Sequence, residues 1–249
     1  MTHTSAAPLL PSNLQDQTVV IFGGTSGIGL AAAIQAKAAG AAVIVIGSNA
    51  ERARQAAEAH GLAGWRAADV TRSETIYAAV SDIAHVDHLV LLAGSFVAGR
   101  VLDANIDHLR RAFEERIWAS IHAIRALGDK LSKSGSITFI SGNLADRPNA
   151  YGTAVLAAAS AAMEAMARGM ALELAPVRVN TLSPGPINTP ILGKALGEGR
   201  DAFVASLEQT LPLHRLGSAE EAGNAVVFLM ANTFMNGAVL NIDGGARLV

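Results

Sequence analysis

From residue 18 onward, short runs of apolar, β-branched residues alternate with longer alanine-rich stretches. The runs at 18–22, 42–46, 64–68, 88–92, 136–140, 177–182 and 238–242 are apolar nearly throughout. Continuous apolar runs of this length, without strict alternation, mark strands covered on both faces. Between them, helical patterns occupy 28–39, 50–60, 73–84, 107–131, 153–174 and 219–230. Strand–helix alternation of this kind predicts an α/β fold, a doubly wound parallel sheet of about seven strands flanked by helices with right-handed crossovers. No composition break or internal repeat divides the chain, so residues 15–249 are expected to form one domain behind a flexible leader, 1–14. The one long irregular stretch, 183–216, is rich in Gly and Pro, with a short helix expected at 201–209. Long insertions at the carboxyl edge of such a sheet usually cover a ligand.

The first apolar run breaks into Gly23-Gly24-Thr25-Ser26-Gly27-Ile28-Gly29 and then opens an alanine-rich helix. In a Rossmann-type fold the first glycine permits a tight turn, the next lets bare backbone approach a pyrophosphate, and the last packs helix on strand. N–H groups at the helix start favour the anion. Strand before and helix after raise this pattern above an ordinary glycine-rich turn.

Composition narrows the field. The chain has 249 residues, 51% hydrophobic and 16% charged, enough for a substantial core. A net charge of −2 gives no electrostatic case for nucleic acid or an anionic membrane. Without cysteine there is no disulfide, thiolate metal site or cysteine nucleophile. The seven histidines show no metal-ligand spacing, and no metal is expected. No signal peptide or membrane-spanning run is recognised, so a cytoplasmic protein with a small-molecule substrate is expected.

The strand ends speak to the cofactor. After the third strand, Asp69-Val70 offers a carboxylate that either accepts from an adenine amino group or caps the next helix. An NAD site normally carries an acid at the end of the second strand to hold the ribose 2′-OH. Here that position reads Gly47-Ser48-Asn49-Ala50-Glu51-Arg52, with no acid at the strand end. Ser48, Asn49 and Arg52 suit a 2′-phosphate beside a helix N-terminus, which favours NADP(H), with NAD(H) as the alternative.

Together these motifs resemble the short-chain dehydrogenase/reductase family over nearly the whole chain from Thr18. Asp69-Val70 matches its adenine position, and Ala93-Gly94 matches the end of its Asn-Asn-Ala-Gly motif, with Leu91 and Leu92 replacing both asparagines. Phe22 stands where the family usually has Thr. Arg178-Val179-Asn180 and Ser183-Pro184-Gly185-Pro186-Ile187-Asn188-Thr189 match the segment that meets the nicotinamide carboxamide. Leu213-His214-Arg215-Leu216-Gly217, Glu220-Glu221 and Asp243-Gly244-Gly245 match the C-terminal signature. The resemblance implies that Ala93, Gly94, Pro184, Gly185, Ile187 and Thr189 line the cofactor. It also implies a homotetramer or homodimer built on the fourth and fifth helices and the last strand.

The family's chemistry needs a Tyr as proton donor, a Lys four residues on, a Ser, and an Asn in the fourth helix. Tyr151 is in the right region, but Val155 stands four residues later. Counting back from Ala171-Leu172-Glu173-Leu174-Ala175-Pro176, the family's usual close to this helix, puts the Tyr position at Leu156 and the Lys position at Ser160. A five-residue shift to Tyr151 would turn the side chain by about 140° around a helix. The Ser position falls on Gly142 or Asn143, and the Asn position on Arg116. This is an atypical member, lacking the usual Ser-Tyr-Lys set.

Substitutes are at hand. Tyr151 can reach the site from its rim, and Ser141 or Asn143 can donate to a substrate oxygen. Arg116 either binds an anionic substrate group or pairs with an acid such as Glu115 or Asp146. Ser160 can contact the cofactor ribose, although a neutral hydroxyl cannot depress a phenol pKa as an ammonium would. Ser95, Phe96, Tyr151, the stretch 186–196 and Phe203 suggest an apolar lining suited to a small carbonyl or alcohol. Three functions follow: an NADP(H)-dependent oxidoreductase, a catalytically silent NADP(H)-binding sensor or partner subunit, and a scaffold recruited for a non-redox lyase or isomerase step.

Overall fold

A computed structural model of the chain describes residues 13–249, apart from the side chains of residues 194–196. Its strands are β1 Thr18–Phe22, β2 Ala42–Gly47, β3 Gly64–Ala67, β4 Val86–Leu91, β5 Leu131–Ile140, β6 Arg178–Pro184, β7 Ile187–Asn188, β8 Gly217–Ser218 and β9 Val239–Ile242. Seven of them form one sheet in the order β3-β2-β1-β4-β5-β6-β9, every neighbouring pair parallel. The expected Rossmann-type sheet is therefore present. The pair β7–β8 lies apart, with β7 inside the stretch expected to be irregular and β8 just beyond its end.

The helices are α1 Gly27–Ala38, α2 Ala50–His60, α3 Ser73–Val80, α4 Ile106–Phe113, α5 Ala119–Leu127, α6 Ala154–Glu173, α7 Pro190–Leu196, α8 Arg200–Thr210 and α9 Ala219–Ala231. One face of the sheet packs on α1, α2 and α9 through Ala32, Ala36, Ala57, Val226 and Met230. The other packs on α3, α5 and α6 through Ile76, Val80, Ala123, Leu127, Met163 and Ala167. Both faces are dry, which is why the strands read as continuous apolar runs. Helix α6 is long and apolar enough to cross a membrane by length and composition alone, but Leu156, Met163 and Ala167 bury one side of it in the protein. Most of the expected leader lies outside the described residues. Leu14, at its end, is 1% exposed and donates its N–H to the Ala39 carbonyl at 2.9 Å.

The chain runs outward from β1 to β3 and then returns to place β4 on the other side of β1. That reversal opens a crevice beyond the carboxyl ends of β1 and β4, where such folds bind their ligands.

Buried His88 on β4 ties the opposite end of the sheet together. Its Nδ1 lies 2.7 Å from Ser136 Oγ on β5 and its Nε2 2.7 Å from Gln17 Oε1. A neutral ring satisfies both: Nε2–H donates to the amide oxygen, and Nδ1 accepts from the hydroxyl. Burial pushes its pKa from 6.5 down to about 4, the Arg178 guanidinium adds to this, and Asp87 opposes it. The unfolded chain thus takes up the proton first as pH falls. Stability is full above about pH 6.5 and drops between about 6.5 and 4, by up to about 3 kcal/mol. Denaturant titrations across this range should show that acid slope, and His88→Gln should flatten it.

Candidate active site

The glycine loop sits at the crevice, and its geometry forbids side chains. Gly23 has φ 81°, and a Cβ there would lie 2.8 Å from the Ala93 nitrogen at the end of β4. A Cβ on Gly29 would stand 2.2 Å from the Gly23 carbonyl oxygen, so α1 touches β1's turn through bare backbone. Gly27 has φ 53° and lies under Thr189, whose Cβ is 3.3 Å from the place a Gly27 Cβ would take. Residues distant in sequence and expected to line the cofactor (Gly23, Gly27, Ala93 and Thr189) are therefore gathered at one point. Ser26 begins α1 in extended conformation without a side-chain cap, leaving the first-turn N–H groups to an incoming anion. Thr25 packs on Gly47 at the end of β2, and Ile28 packs against the core below. Pro184 closes β6, Gly185 lies tight against Asp243, and Ile187 opens the β7–β8 pair.

At the end of β2, Asn49 caps α2, its Oδ1 accepting from the Arg52 N–H at 2.8 Å. Arg54 pairs with both Glu51 and Glu58 at 2.7 Å. Arg52 is left exposed with no acidic partner among the described residues, beside exposed Ser48. Asp69 does not cap the next helix, because Arg72 is the N-cap of α3. Its Oδ1 accepts instead from the Thr71 N–H at 3.0 Å and the Thr71 hydroxyl at 2.7 Å. These bonds hold the carboxyl below its usual range. Val70 lines the crevice floor together with Ala93.

Between α4 and α5 the helix widens into a π turn, Glu114–Trp118. The wider turn, frequent at functional sites, sends both Glu115 and Arg116 toward the end of β4. Arg116 Nη2 donates to the Ser95 carbonyl at 3.0 Å, and Nη1 makes a long 3.4 Å contact with the Ala112 carbonyl. The guanidinium carbon lies 3.2 Å from where a Gly94 Cβ would be, so only glycine leaves it room. Burial draws its pKa down, and Glu115 pulls the other way.

Neither expected counter-ion pairs with it. Glu115, 5% exposed, accepts from the Ser95 N–H and hydroxyl, each at 2.6 Å, and from Arg111 at 2.9 and 2.5 Å. Asp146 is held by Arg247 at 2.6 Å. Arg116 faces a small cavity lined mainly by Phe22, Val70, Leu91, Ala93, Ile140 and Met163. Phe22 and Leu91 make that cavity apolar where the family usually carries Thr and Asn.

The α6 side is equally informative. Leu156 and Ser160 are 3% and 4% exposed on the inward face of α6. Tyr151 precedes the helix, which starts at Ala154, and is 81% exposed. Ser141 donates its hydroxyl to Glu164 Oε1 at 2.7 Å. Asn143 opens a short 3-10 turn, its carbonyl accepting from the Asp146 and Arg147 N–H groups.

Two partners, Glu164 and Arg247, were missed from sequence, and Glu115, expected beside Arg116, serves Ser95 and Arg111 instead. Arg247 ties the β5–α6 loop (through Asp146) to Ser183 at 2.8 Å and Asp243 at 2.9 Å. The Arg111–Glu115 spacing was a readable helix pair. Apart from the close Arg247–Asp243 pair, the other contacts join residues far apart in sequence and left no local signal.

A doubly wound parallel sheet whose glycine loop meets a carboxyl-edge crevice defines a dinucleotide-binding protein of the NAD(P)-dependent oxidoreductase type. A family model described as enoyl-(acyl carrier protein) reductase matches residues 23–247. A short-chain dehydrogenase/reductase of Stachybotrys chlorohalonatus is 33% identical over 258 residues, spanning 94% of this chain and 98% of the relative. Among solved structures, a small-chain dehydrogenase in complex with NADPH is 33% identical, with a TM-score of 0.82 over 94% of this chain and 100% of its own. A short-chain oxidoreductase from Pseudomonas aeruginosa PAO1, described as containing an atypical catalytic center, is 26% identical, with a TM-score of 0.84 over 94% and 98%. The chain belongs to the short-chain dehydrogenase/reductase family.

Proposed function

We propose that this protein is an NADP(H)-dependent oxidoreductase acting on a small carbonyl or alcohol substrate, with Arg116 as the charged group of its active site. The observation that carries this reading is a guanidinium with no carboxylate partner, held beside Gly94 at the edge of the cofactor crevice. The residues present fit the dinucleotide, since Gly23 and Gly29 have no room for a Cβ, Gly27 holds a left-handed φ of 53° under Thr189, and the start of α1 has no side-chain cap. The NADPH-bound relative and the unpaired Arg52 support NADP(H) over NAD(H).

When bound, the dinucleotide supplies or accepts the hydride. Arg116 remains charged at neutral pH, so it stabilises negative charge developing on a substrate oxygen and does not itself donate the proton. Tyr151 at the rim, or water, is the proton source. Asn143 offers a side-chain amide to a substrate oxygen, and Ser141 acts together with Glu164. Ser160 offers a hydroxyl to the ribose. Losing a positioned acid costs a factor of about 10²–10⁴, so activated substrates are favoured.

A second reading, a silent NADP(H)-binding sensor or partner subunit, is favoured by the buried Leu156 and Ser160, which supply neither phenol nor ammonium. NADPH titration by fluorescence, followed by its oxidation against a broad carbonyl panel, separates the two. Tight binding with no turnover would leave the sensor reading standing. Arg52→Ala should lower the NADPH/NADH affinity ratio about tenfold, the size of one charge-assisted phosphate contact. An unchanged ratio would remove Arg52 from the 2′-phosphate site.

A further inference from the structure

Two segments leave the sheet side by side at the carboxyl ends of β5 and β6, and their backbones soon part. The strands pair as far as Ile140 and Leu182, and the Ser141 N–H adds one bond to the Leu182 carbonyl at 2.8 Å. Beyond that point the loop 142–153, which carries Asn143 and Tyr151, bonds to itself. The Ala145 N–H reaches the Gly142 carbonyl, and the Tyr151 N–H reaches Asn149 Oδ1. The facing segment 183–189, expected to meet the nicotinamide, is tied the other way. Its Gly185 N–H bonds to the Ile242 carbonyl at 2.9 Å, and its Pro186 carbonyl takes the Gly217 N–H at 3.0 Å. No backbone hydrogen bond joins the two segments among the described residues.

Arg247 supplies the link. Its three guanidinium nitrogens reach three segments: Nε to Asp146 Oδ2 at 2.6 Å, Nη2 to Ser183 Oγ at 2.8 Å and Nη1 to Asp243 Oδ2 at 2.9 Å. A planar guanidinium with every nitrogen engaged fixes the spacing of its acceptors, as a flexible ammonium cannot. Its anchor is stiff. Asp243 also accepts from the Gly245 and Arg247 N–H groups, and a Cβ on Gly185 would stand 2.6 Å from that of Asp243. The Arg247 side chain is 14% exposed and Ser183 is fully buried, so water competes little for the bond between them. Arg147 adds a second strap from the same loop by donating to the Val249 carbonyl. A fixed width matters here, because hydride transfer needs its reacting atoms within about 3–3.5 Å.

We infer that Arg247 is a positioning residue, which holds segment 183–189 at a set distance from the loop 142–153 and so fixes the nicotinamide end of the cofactor. This rests on the dinucleotide reading above. Arg247 acts through Ser183 on one side and Asp146 on the other.

The test compares two probes by calorimetry on the full chain: NADPH, and adenosine 2′,5′-bisphosphate, which has no nicotinamide. Arg247→Met should weaken NADPH about tenfold, the net worth of roughly one charged hydrogen bond, and leave the bisphosphate within about twofold of wild type. The backbone bonds to Asp243 survive this change, so the turn should persist. Arg247→Lys should recover only part of the loss, because an ammonium keeps the charge without the three-way fork. Ser183→Ala cuts the bond to β6 alone and should give the same selective loss, about threefold. If Arg247→Met fails to fold, the Ser183 variant decides. Equal weakening of both probes would mark a merely structural role and overturn the inference, and so would NADPH binding within about twofold of wild type. If wild type binds neither probe, the dinucleotide reading itself fails.

Discussion

Arg116→Leu should lower turnover by about 10²–10³-fold, the usual loss when a preorganised charge at a developing oxyanion is removed. The same variant should be as stable as wild type or more so, by about 1–2 kcal/mol. The guanidinium is held by one good carbonyl contact and one long one, has no carboxylate partner, and faces an apolar cavity. Exchanging such a desolvated cation for a packed aliphatic side chain is often stabilising. Steady-state rates on a substrate from the carbonyl panel, with thermal melts on the same samples, check both halves. Lower activity with retained stability marks a residue kept for chemistry. Unchanged kcat would exclude Arg116 from the reaction.

Arg178→Met should do the opposite, destabilising the fold by about 3–5 kcal/mol and lowering the Tm by roughly 10 °C. Arg178 is also buried without a carboxylate, and burial likewise lowers its pKa. Its surroundings differ. Nη1 and Nη2 donate to the carbonyls of Leu229, Met230, Asn232 and Met235, at 3.0, 2.7, 2.8 and 3.3 Å. The carbonyls of Leu229, Met230 and Asn232 lie at the negative end of α9, and that of Met235, just beyond it, also accepts from Asn180 Nδ2, so the cation satisfies the helix terminus and locks it to β6. A methionine would leave several buried carbonyls without donors. Thermal and denaturant melts decide the point, and a loss below about 1 kcal/mol would contradict it.

These two arginines also show how far the chain could be read in advance. Both stood out in the sequence, Arg178 in a family motif and Arg116 at a displaced catalytic position. Nothing local distinguished a helix clasp from an active-site charge. The difference lies in which carbonyls and carboxylates surround each guanidinium, and those come from elements about 50 residues away or from the π turn. Asp69 is similar: its two readings were equivalent until the start of α3 at Ser73, capped by Arg72, removed one of them. The strand and helix limits were legible because they depend on runs of neighbouring residues. Residues 131–135 were the main exception: Leu131 was read as the end of a helix and 132–135 fell between elements, yet all five open β5. There the pairing of Leu131 with Val86 outweighs a weak local preference.

By itself, the sequence determined the parallel sheet, the glycine loop and the crevice where a dinucleotide belongs. Apolar strand runs and a glycine-rich turn between strand and helix are local patterns that few other folds share. Only the tertiary structure decided that Glu115 belongs to Ser95 and Arg111, that Arg116 stands without a counter-ion among the described residues, and that Tyr151 is left largely exposed. Those outcomes depend on a single widened helical turn and on contacts between distant elements, and a hydrogen-bond partner brought in from elsewhere in the chain leaves no periodic trace.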